Sequence, residues 1–177
     1  MQKFVIALAL AALPAFAQSN GGESTGVANP LSATTKYLYT MSKNDILKSA
    51  EEMPEADYSF KPVDTVRTFG QLVGHAADAQ YEFCSAVLGG TRPPSVEKSK
   101  TTKADLIAAL KEAFSYCDRA YNGMTDAQGA EMVKFFGRDT PKLGLLEFNF
   151  GHNMEHYGNM VTYLRMKGLV PPSSQKQ

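Results

Sequence analysis

Tryptophan is absent from this sequence, and cysteine and histidine are scarce, with two and three residues respectively. The large core groups must therefore come from the eight tyrosines and ten phenylalanines. Two cysteines are too few for a disulfide framework, so a hydrophobic core must hold the fold. Acidic and basic residues balance at 18 each, and no basic block occurs. This charge pattern argues against a nucleic-acid partner, which requires a clustered positive face, and against an acidic disordered chain.

The N-terminus has the pattern of a secretory signal peptide at residues 1–17. Lys3 precedes an apolar run at residues 4–13, and Ala15-Phe16-Ala17 forms a small-x-small cleavage site. The run is too short to span a bilayer comfortably. We therefore predict cleavage near Gln18 and export to the periplasm or the medium, with an uncleaved anchor or a plain hydrophobic N-terminus as the alternatives. No later run is long enough for a membrane helix, so no stable membrane span is predicted after cleavage.

The remaining chain is predicted to form one all-α domain at residues 30–172, after a flexible leader at 18–29 and before a polar tail at 173–177. Caps and helix breakers set the boundaries of four helices. In order, these run from Pro30 to about Glu52, from the capping-box pair Thr68 and Gln71 to Gly89, from Thr102 to Gly123, and from Thr140-Pro141 to about Lys167. Residues 124–139 are ambiguous, with a short helical turn as one alternative. Because no stretch alternates convincingly as a strand, the predicted fold is a four-helix bundle.

Two of the three histidines, His152 and His156, are four residues apart on the last predicted helix. This spacing puts both imidazoles on one helix face, where they can share one ion. The third, His75, lies on the second predicted helix. Three neutral nitrogen ligands with open coordination positions are typical of a catalytic site, and zinc or nickel would suit them. The alternative is that these are ordinary surface or packing histidines, which is the more common use of such a pair.

Polar side chains accompany the histidines on both helices. Asn149, Asn159 and Tyr163 share the face of the histidine pair, which favours hydrogen bonds to the ligands or to a bound substrate. Carboxylates lie beside the histidines on each helix. The candidate acid, base or orienting residues are Glu82, Asp78, Glu155 and Tyr163.

Six short segments, taken in order, carry a family resemblance. They are residues 58–62 (YSFKP), 67–75 (RTFGQLVGH), 145–146 (LL), 152–159 (HNMEHYGN), 163–165 (YLR) and 168–172 (GLVPP). Together they resemble the DinB-like (DNA-damage-inducible) four-helix-bundle family. The resemblance extends from about Leu31 to Pro172. No single segment is very specific, whereas their order and spacing together are fairly specific.

The resemblance implies an up-down-down-up bundle, and members of the family often bind a divalent metal ion through three histidines. Those positions match His75, His152 and His156. Despite its name, the family does not imply DNA-repair chemistry, and several members with known reactions resemble thiol-dependent transferases or isomerases. This chain departs from them if it is exported, because small-thiol cosubstrates belong mainly to the cytosol.

The implied topology also bears on the two cysteines. In an up-down-down-up bundle the second and third helices run parallel, so Cys84 and Cys117 lie nearly level, and a disulfide is allowed. Cys84 lies off the main apolar stripe of its helix, however, whereas Cys117 lies on its own. Two separate buried thiols are therefore the alternative.

The predicted function is that of an exported DinB-like protein that binds a divalent metal ion through three histidines. The first hypothesis is a metal-dependent hydrolase or transferase with a small-molecule substrate. The alternatives are a non-catalytic metal-binding or stress-related envelope protein, and a structural bundle without metal. A homodimer is compatible with such a bundle, although no clean exposed apolar stripe argues for one.

Overall fold

The computed structural model describes Gly26 and residues 28–176 of the chain. The predicted signal peptide at 1–17 lies outside the described residues, as does most of the predicted leader at 18–29. Within the described part, no helix combines the length and apolar character needed to cross a membrane.

Four long helices dominate the fold, with short elements between them. In chain order, the described residues form α1 (Pro30–Glu52), a 3-10 turn (Glu55–Asp57), α2 (Phe69–Leu88), α3 (Val96–Ser99), α4 (Lys103–Asn122), α5 (Asp126–Gly129), the strands β1 (Met132–Phe135) and β2 (Arg138–Pro141), α6 (Lys142–Met166) and a second 3-10 turn (Pro172–Ser174). The fold is thus mostly helical, as the predicted all-α class requires.

Side-chain caps begin α2 and α4 at the predicted positions. Thr68 Oγ1 accepts a hydrogen bond from the Gln71 N–H, and the Gln71 side chain accepts one from the Thr68 N–H, which completes the capping box before α2. Thr102 caps α4 by accepting a hydrogen bond from the Asp105 N–H. Gly89 ends α2 at a φ of 72°, a left-handed conformation that glycine adopts without strain.

The four long helices bury one apolar core. α2 packs against α4 and α6, and α1 packs against the same two helices. The core is rich in aromatic and aliphatic side chains, and its largest fully buried members include Tyr39, Ile46, Phe69, Leu110, Phe114, Leu146 and Met160. Tyr39 stacks on Tyr121 with ring centroids 3.7 Å apart, which joins α1 to α4. Tyrosine and phenylalanine thus fill the role that tryptophan cannot fill here.

Residues 124–141 differ in part from the prediction, although the short helix α5 fits the helical turn that is one alternative for residues 124–139. α5 is followed by an antiparallel hairpin of β1 and β2, where no strand is predicted. The predicted helix start at Thr140-Pro141 is wrong, because both residues belong to β2 and α6 begins at Lys142. Thr140 lies opposite Val133 in the ladder, so its backbone is extended. A Thr-Pro pair fits either a helix cap or the end of a strand, and the pairing with β1 decides between the two.

Cys84 of α2 and Cys117 of α4 form a disulfide, with their Cα atoms 5.2 Å apart. This separation lies within the usual range of about 4.4–6.8 Å. Both cysteines are fully buried. Of the two alternatives that the sequence leaves open, the structure has the disulfide.

Reduction of this disulfide is expected to lower the free energy of unfolding by about 3–4 kcal/mol, since the bond links cysteines 33 residues apart and restricts the unfolded chain. Urea denaturation with and without a reductant measures the difference. The double variant Cys84→Ser/Cys117→Ser should behave like the reduced protein. An unchanged urea midpoint after both reduction and the double substitution would contradict the presence of the disulfide.

Candidate metal centre

α2 and α6 bring the three histidines together. His75 lies in the second turn of α2, and His152 and His156 lie one turn apart on α6. Because α2 packs against α6, the histidine pair faces the single histidine across the helix contact. One ligand nitrogen from each residue lies within 4.8 Å of those from the other two. The three-histidine cluster that the sequence predicts is therefore present.

The spacing of His152 and His156 fits two ligands on one shared ion. Ring centroids are 4.3 Å apart for His152 and His156, 4.6 Å for His75 and His156, and 5.2 Å for His75 and His152. The Nε2 atoms of His152 and His156 lie 3.1 Å apart. Two nitrogens that bind one ion at about 2.0–2.1 Å, with an angle of roughly 90–109° between them, are themselves about 2.8–3.4 Å apart. The pair thus has the spacing of two ligands on one ion.

Burial keeps the three imidazoles in the neutral form that binds metal. Desolvation lowers the pKa of His156 to about 3 and that of His152 to about 4, and repulsion from the other histidines and from Arg67 adds to the effect. Desolvation and Arg67 also lower the pKa of His75, although the Glu97 carboxylate opposes the shift. At neutral pH the cluster therefore offers lone pairs rather than positive charge.

The Nδ1 atoms of the three rings have different surroundings. His75 Nδ1 lies 3.4 Å from Oε2 of Glu97. His152 Nδ1 and His156 Nδ1 are buried, and neither has a hydrogen-bond partner among the described residues. A metal-bound histidine usually donates its second N–H to an acceptor. Within the part of the chain that the structure describes, His75 is the ligand candidate with such an acceptor.

Two clefts reach the cluster. His156 lines the larger one, of about 850 Å³, together with Arg67 and Asn159. His75 and His152 line the smaller one, of about 490 Å³. A small molecule can therefore approach the histidines from solvent.

Glu82 and Asp78 both lie in the smaller cleft, but each carboxylate has a partner other than a histidine. Glu82 Oε1 pairs with Arg92 Nη1 at 2.9 Å. Asp78 accepts hydrogen bonds from Ser95 Oγ at 2.6 Å and from two backbone N–H groups at the start of α3, at 2.6 and 3.2 Å. Asp78 thus fastens α3 to α2. The catalytic roles suggested for the two carboxylates stay predictions.

Glu155 and Tyr163 line the larger cleft. Glu155 is exposed and lies next to His156 in the chain. Tyr163 is buried, and its hydroxyl donates a hydrogen bond to the backbone carbonyl of Arg67 at 2.6 Å. This bond holds the segment before α2 against α6. The catalytic roles suggested for Glu155 and Tyr163 also stay predictions.

The two asparagines on the histidine face have different positions. Asn159 is exposed in the larger cleft, where it can reach a substrate. The expectation that Asn149 bonds a histidine or a substrate is wrong. Asn149 is fully buried, and its Nδ2 donates hydrogen bonds to Gln80 Oε1 at 3.0 Å and to Tyr121 Oη at 3.1 Å. Because Gln80 lies more than a turn beyond His75 on α2, Asn149 belongs to a polar core layer below the cluster.

Two charged residues at the cluster, Arg67 and Glu97, are missing from the predicted site. Glu97 Oε1 accepts a hydrogen bond from Arg67 Nε at 2.9 Å while Oε2 faces His75. Glu97 belongs to α3, which lies between the second and third predicted helices. The sequence does hold a signal for the start of α3: Ser95 is a good N-cap, and an acidic residue follows it in the first turn.

The depressed pKa values predict that the metal-free protein loses stability as the pH falls below about 6.5. Unfolded histidines take up protons near 6.5, whereas folded His152 and His156 do so near pH 4 and 3. Acid therefore favours the unfolded state across this window. Thermal unfolding in a chelator, followed by circular dichroism, should show a Tm that falls between about pH 6.5 and 4. A double variant, His152→Asn/His156→Asn, should lose most of this dependence, and an unaltered slope would contradict the assignment.

Comparison with known proteins identifies the family. The family model described as the DinB superfamily matches residues 38–160, a range that contains all three histidines. The uncharacterized protein YjoA of Bacillus subtilis (strain 168) is 26% identical over 122 residues, which cover 67% of this chain and 79% of that protein.

Solved structures share the fold. A DinB-like protein from Bacillus cereus ATCC 10987 has a TM-score of 0.70 at 18% identity, over 79% of this chain and 95% of that chain. YjoA from Bacillus subtilis has a TM-score of 0.66 at 23% identity, over 81% and 99%. A mycothiol-dependent maleylpyruvate isomerase has a TM-score of 0.60 at 16% identity, over 73% and 60%. At these identities the similarity establishes the fold alone. On the match to the family model, the chain belongs to the DinB superfamily.

Proposed function

We propose that this protein binds a divalent metal ion through His75, His152 and His156 and acts on a small polar substrate by hydrolysis or group transfer. The 3.1 Å separation between the Nε2 atoms of His152 and His156 carries the proposal, because it matches two ligands on one ion. Three nitrogen ligands leave coordination positions open, as catalytic sites do. Imidazole ligands suit zinc and nickel, which are the proposed metals.

A divalent ion in this site would supply Lewis acidity, which polarises a substrate oxygen or activates a water or thiol. The chain's own residues bind and orient the substrate. His156 opens onto the larger cleft beside Arg67 and Asn159. A guanidinium group and an amide both donate hydrogen bonds to oxygen atoms. This lining supports a polar substrate rich in oxygen.

Among the carboxylates, we assign proton transfer to Glu155. It is exposed in the larger cleft and has no ion-pair partner within the described residues. Tyr163 has its hydroxyl hydrogen bonded to the Arg67 carbonyl, which supports a role in holding the cleft wall. Glu82 is paired with Arg92 at the other cleft, which supports an orienting role.

We also propose that α1, α2, α4 and α6 form a four-helix bundle with up-down-down-up topology. Contacts between α2 and α4 support parallel directions, because Gly70 lies against Leu106 near the starts of both helices and Cys84 is bonded to Cys117 near their ends. The start of α2 packs against the end of α6, which supports antiparallel directions for that pair.

Export of the chain is a further proposal. The pattern at residues 1–17 supports it, and the buried disulfide between Cys84 and Cys117 adds support, because such bonds persist in oxidising compartments. Mass spectrometry of the protein from the envelope fraction of an expressing bacterium should find a chain that begins near Gln18. A full-length chain confined to the cytosolic fraction would contradict export.

Metal-replete protein is expected to retain about one zinc or nickel ion per chain after free metal is removed, as measured by elemental analysis. His75→Ala, His152→Ala and His156→Ala should each weaken binding by more than the roughly 10–100-fold that loss of an outer-shell partner causes, because each removes a direct ligand. Competition with a chelator measures the affinity.

Asn159→Ala is a matched control for these variants. It lies on the same helix and lines the same cleft as His156, yet the proposal gives it no contact with the ion. It should therefore retain the metal. Wild-type protein without bound metal, or metal retained at full affinity by the histidine variants, would refute the proposal.

A further inference from the structure

Helix α3 places a carboxylate against one of the three histidines. We propose that Glu97 is a positioning residue of the metal centre. It holds His75 in the tautomer with the proton on Nδ1, so that the Nε2 lone pair of His75 faces the ion. The inference rests on the proposed function, because it assigns a role within the same centre.

The contacts of Glu97 fix its carboxylate on two sides. Oε1 accepts a hydrogen bond from Arg67 Nε at 2.9 Å, and Oε2 lies 3.4 Å from His75 Nδ1. The side chains of Glu97 and His75 are 21% and 25% exposed, so water competes only partly for this contact. An ionised carboxylate accepts hydrogen bonds and cannot donate them, so it favours the tautomer of His75 in which the facing nitrogen, Nδ1, carries the proton. The remaining nitrogen, Nε2, is then free to bind a metal ion.

Asp78 explains how Glu97 reaches this position. Its carboxylate accepts hydrogen bonds from Ser95 Oγ and from the backbone N–H groups of Val96 and Glu97. Asp78 lies three residues after His75 on α2, nearly one turn away. The same helix therefore carries the metal ligand and fastens the segment that supplies its carboxylate partner.

Gly74 permits the close approach of the two segments. A Cβ atom at this position would lie 2.6 Å from the Cα atom of Glu97, a contact that real side chains do not make. The backbone of α3 thus packs directly on α2, one residue before His75. A larger residue at position 74 would push Glu97 away.

The other two proposed ligands, His152 and His156, are oriented in a different way. His152 and His156 share one helix, and their Nε2 atoms already lie 3.1 Å apart. Their Nδ1 atoms have no hydrogen-bond partner among the described residues. His75 comes from a different helix, and its Nδ1 faces the Glu97 carboxylate, an outer partner of the kind that orients metal-bound histidines.

The first test measures the His75 tautomer in metal-free protein by nitrogen-15 NMR of the histidine side chains. Wild-type His75 should carry its proton on Nδ1. Glu97→Ala should shift His75 towards the form protonated on Nε2, while His152 and His156 keep their signals. An unchanged His75 tautomer in a folded Glu97→Ala protein would overturn the proposal.

The second test measures zinc affinity by competition with a chelator. Glu97→Ala should bind zinc about 10–100-fold more weakly than wild type, the usual effect of removing an outer-shell partner. Glu97→Gln should lose less, because its amide oxygen still accepts a hydrogen bond. Glu51→Gln, which alters a surface ion pair with Lys111, should leave the affinity unchanged. Wild-type affinity in Glu97→Ala would overturn the proposal.

The variant Arg67→Ala distinguishes the two contacts of Glu97, the one with His75 and the ion pair with Arg67. It leaves Glu97 beside His75 and removes a positive charge near the cluster, so zinc affinity should hold or rise. If Glu97 acted only as the partner of Arg67, Arg67→Ala and Glu97→Ala would weaken zinc binding alike, which would refute a role through His75.

Two glycine substitutions test the contact between Glu97 and His75 without altering any charged group. Gly74→Ala should weaken zinc binding and shift the His75 tautomer, because it displaces Glu97. Gly158→Ala on α6, where a Cβ meets nothing within 4 Å, should change neither. Should Gly74→Ala fail to fold, the Glu97 variants decide the question. If wild-type protein binds no zinc, the proposed function fails, while the tautomer of metal-free protein still tests Glu97.

Discussion

The packing of α2 against α6 is the interaction on which the site depends, because it brings one ligand nitrogen from each of three imidazoles within 4.8 Å of the other two. Charged rings would repel at this distance, and burial would make the charge more costly still. The cluster therefore persists as neutral rings, each of which has one nitrogen lone pair to offer to an ion. A partly buried group of neutral nitrogen donors is well suited to a cation, and this physical fact connects the fold to the proposed chemistry.

A polar layer in the core fixes the register of these two helices. Gln80 of α2 donates a hydrogen bond to Asn153 at 2.7 Å and accepts one from Asn149 at 3.0 Å, both on α6. A slip of one helix along the other would break both bonds and leave buried amides unpaired, which is costly in a low-dielectric interior. The disulfide between Cys84 and Cys117 ties α2 to α4 as well. The layer thus holds His75 level with the histidine pair.

The sequence predicts those features that local chemistry decides. The Thr68–Gln71 capping box is such a feature, since its partners are three residues apart. The spacing of His152 and His156 likewise predicts their common face, whereas spacing cannot join His75 to them and the family resemblance supplies that match. Thr140 shows the limit, because a strand partner outweighs its local preference for a helix cap. The sequence does not reveal Glu97 for a related reason: its place beside His75 depends on hydrogen bonds between α3 and Asp78, a residue far from α3 in the chain.

X-ray absorption spectroscopy of the zinc-loaded protein tests the central claim most directly, because it reports the atoms bound to the ion. The three-histidine centre predicts a first shell with zinc–nitrogen distances of about 2.0–2.1 Å and the outer scattering of three imidazole rings. A first shell of oxygen or sulfur without imidazole scattering would contradict it.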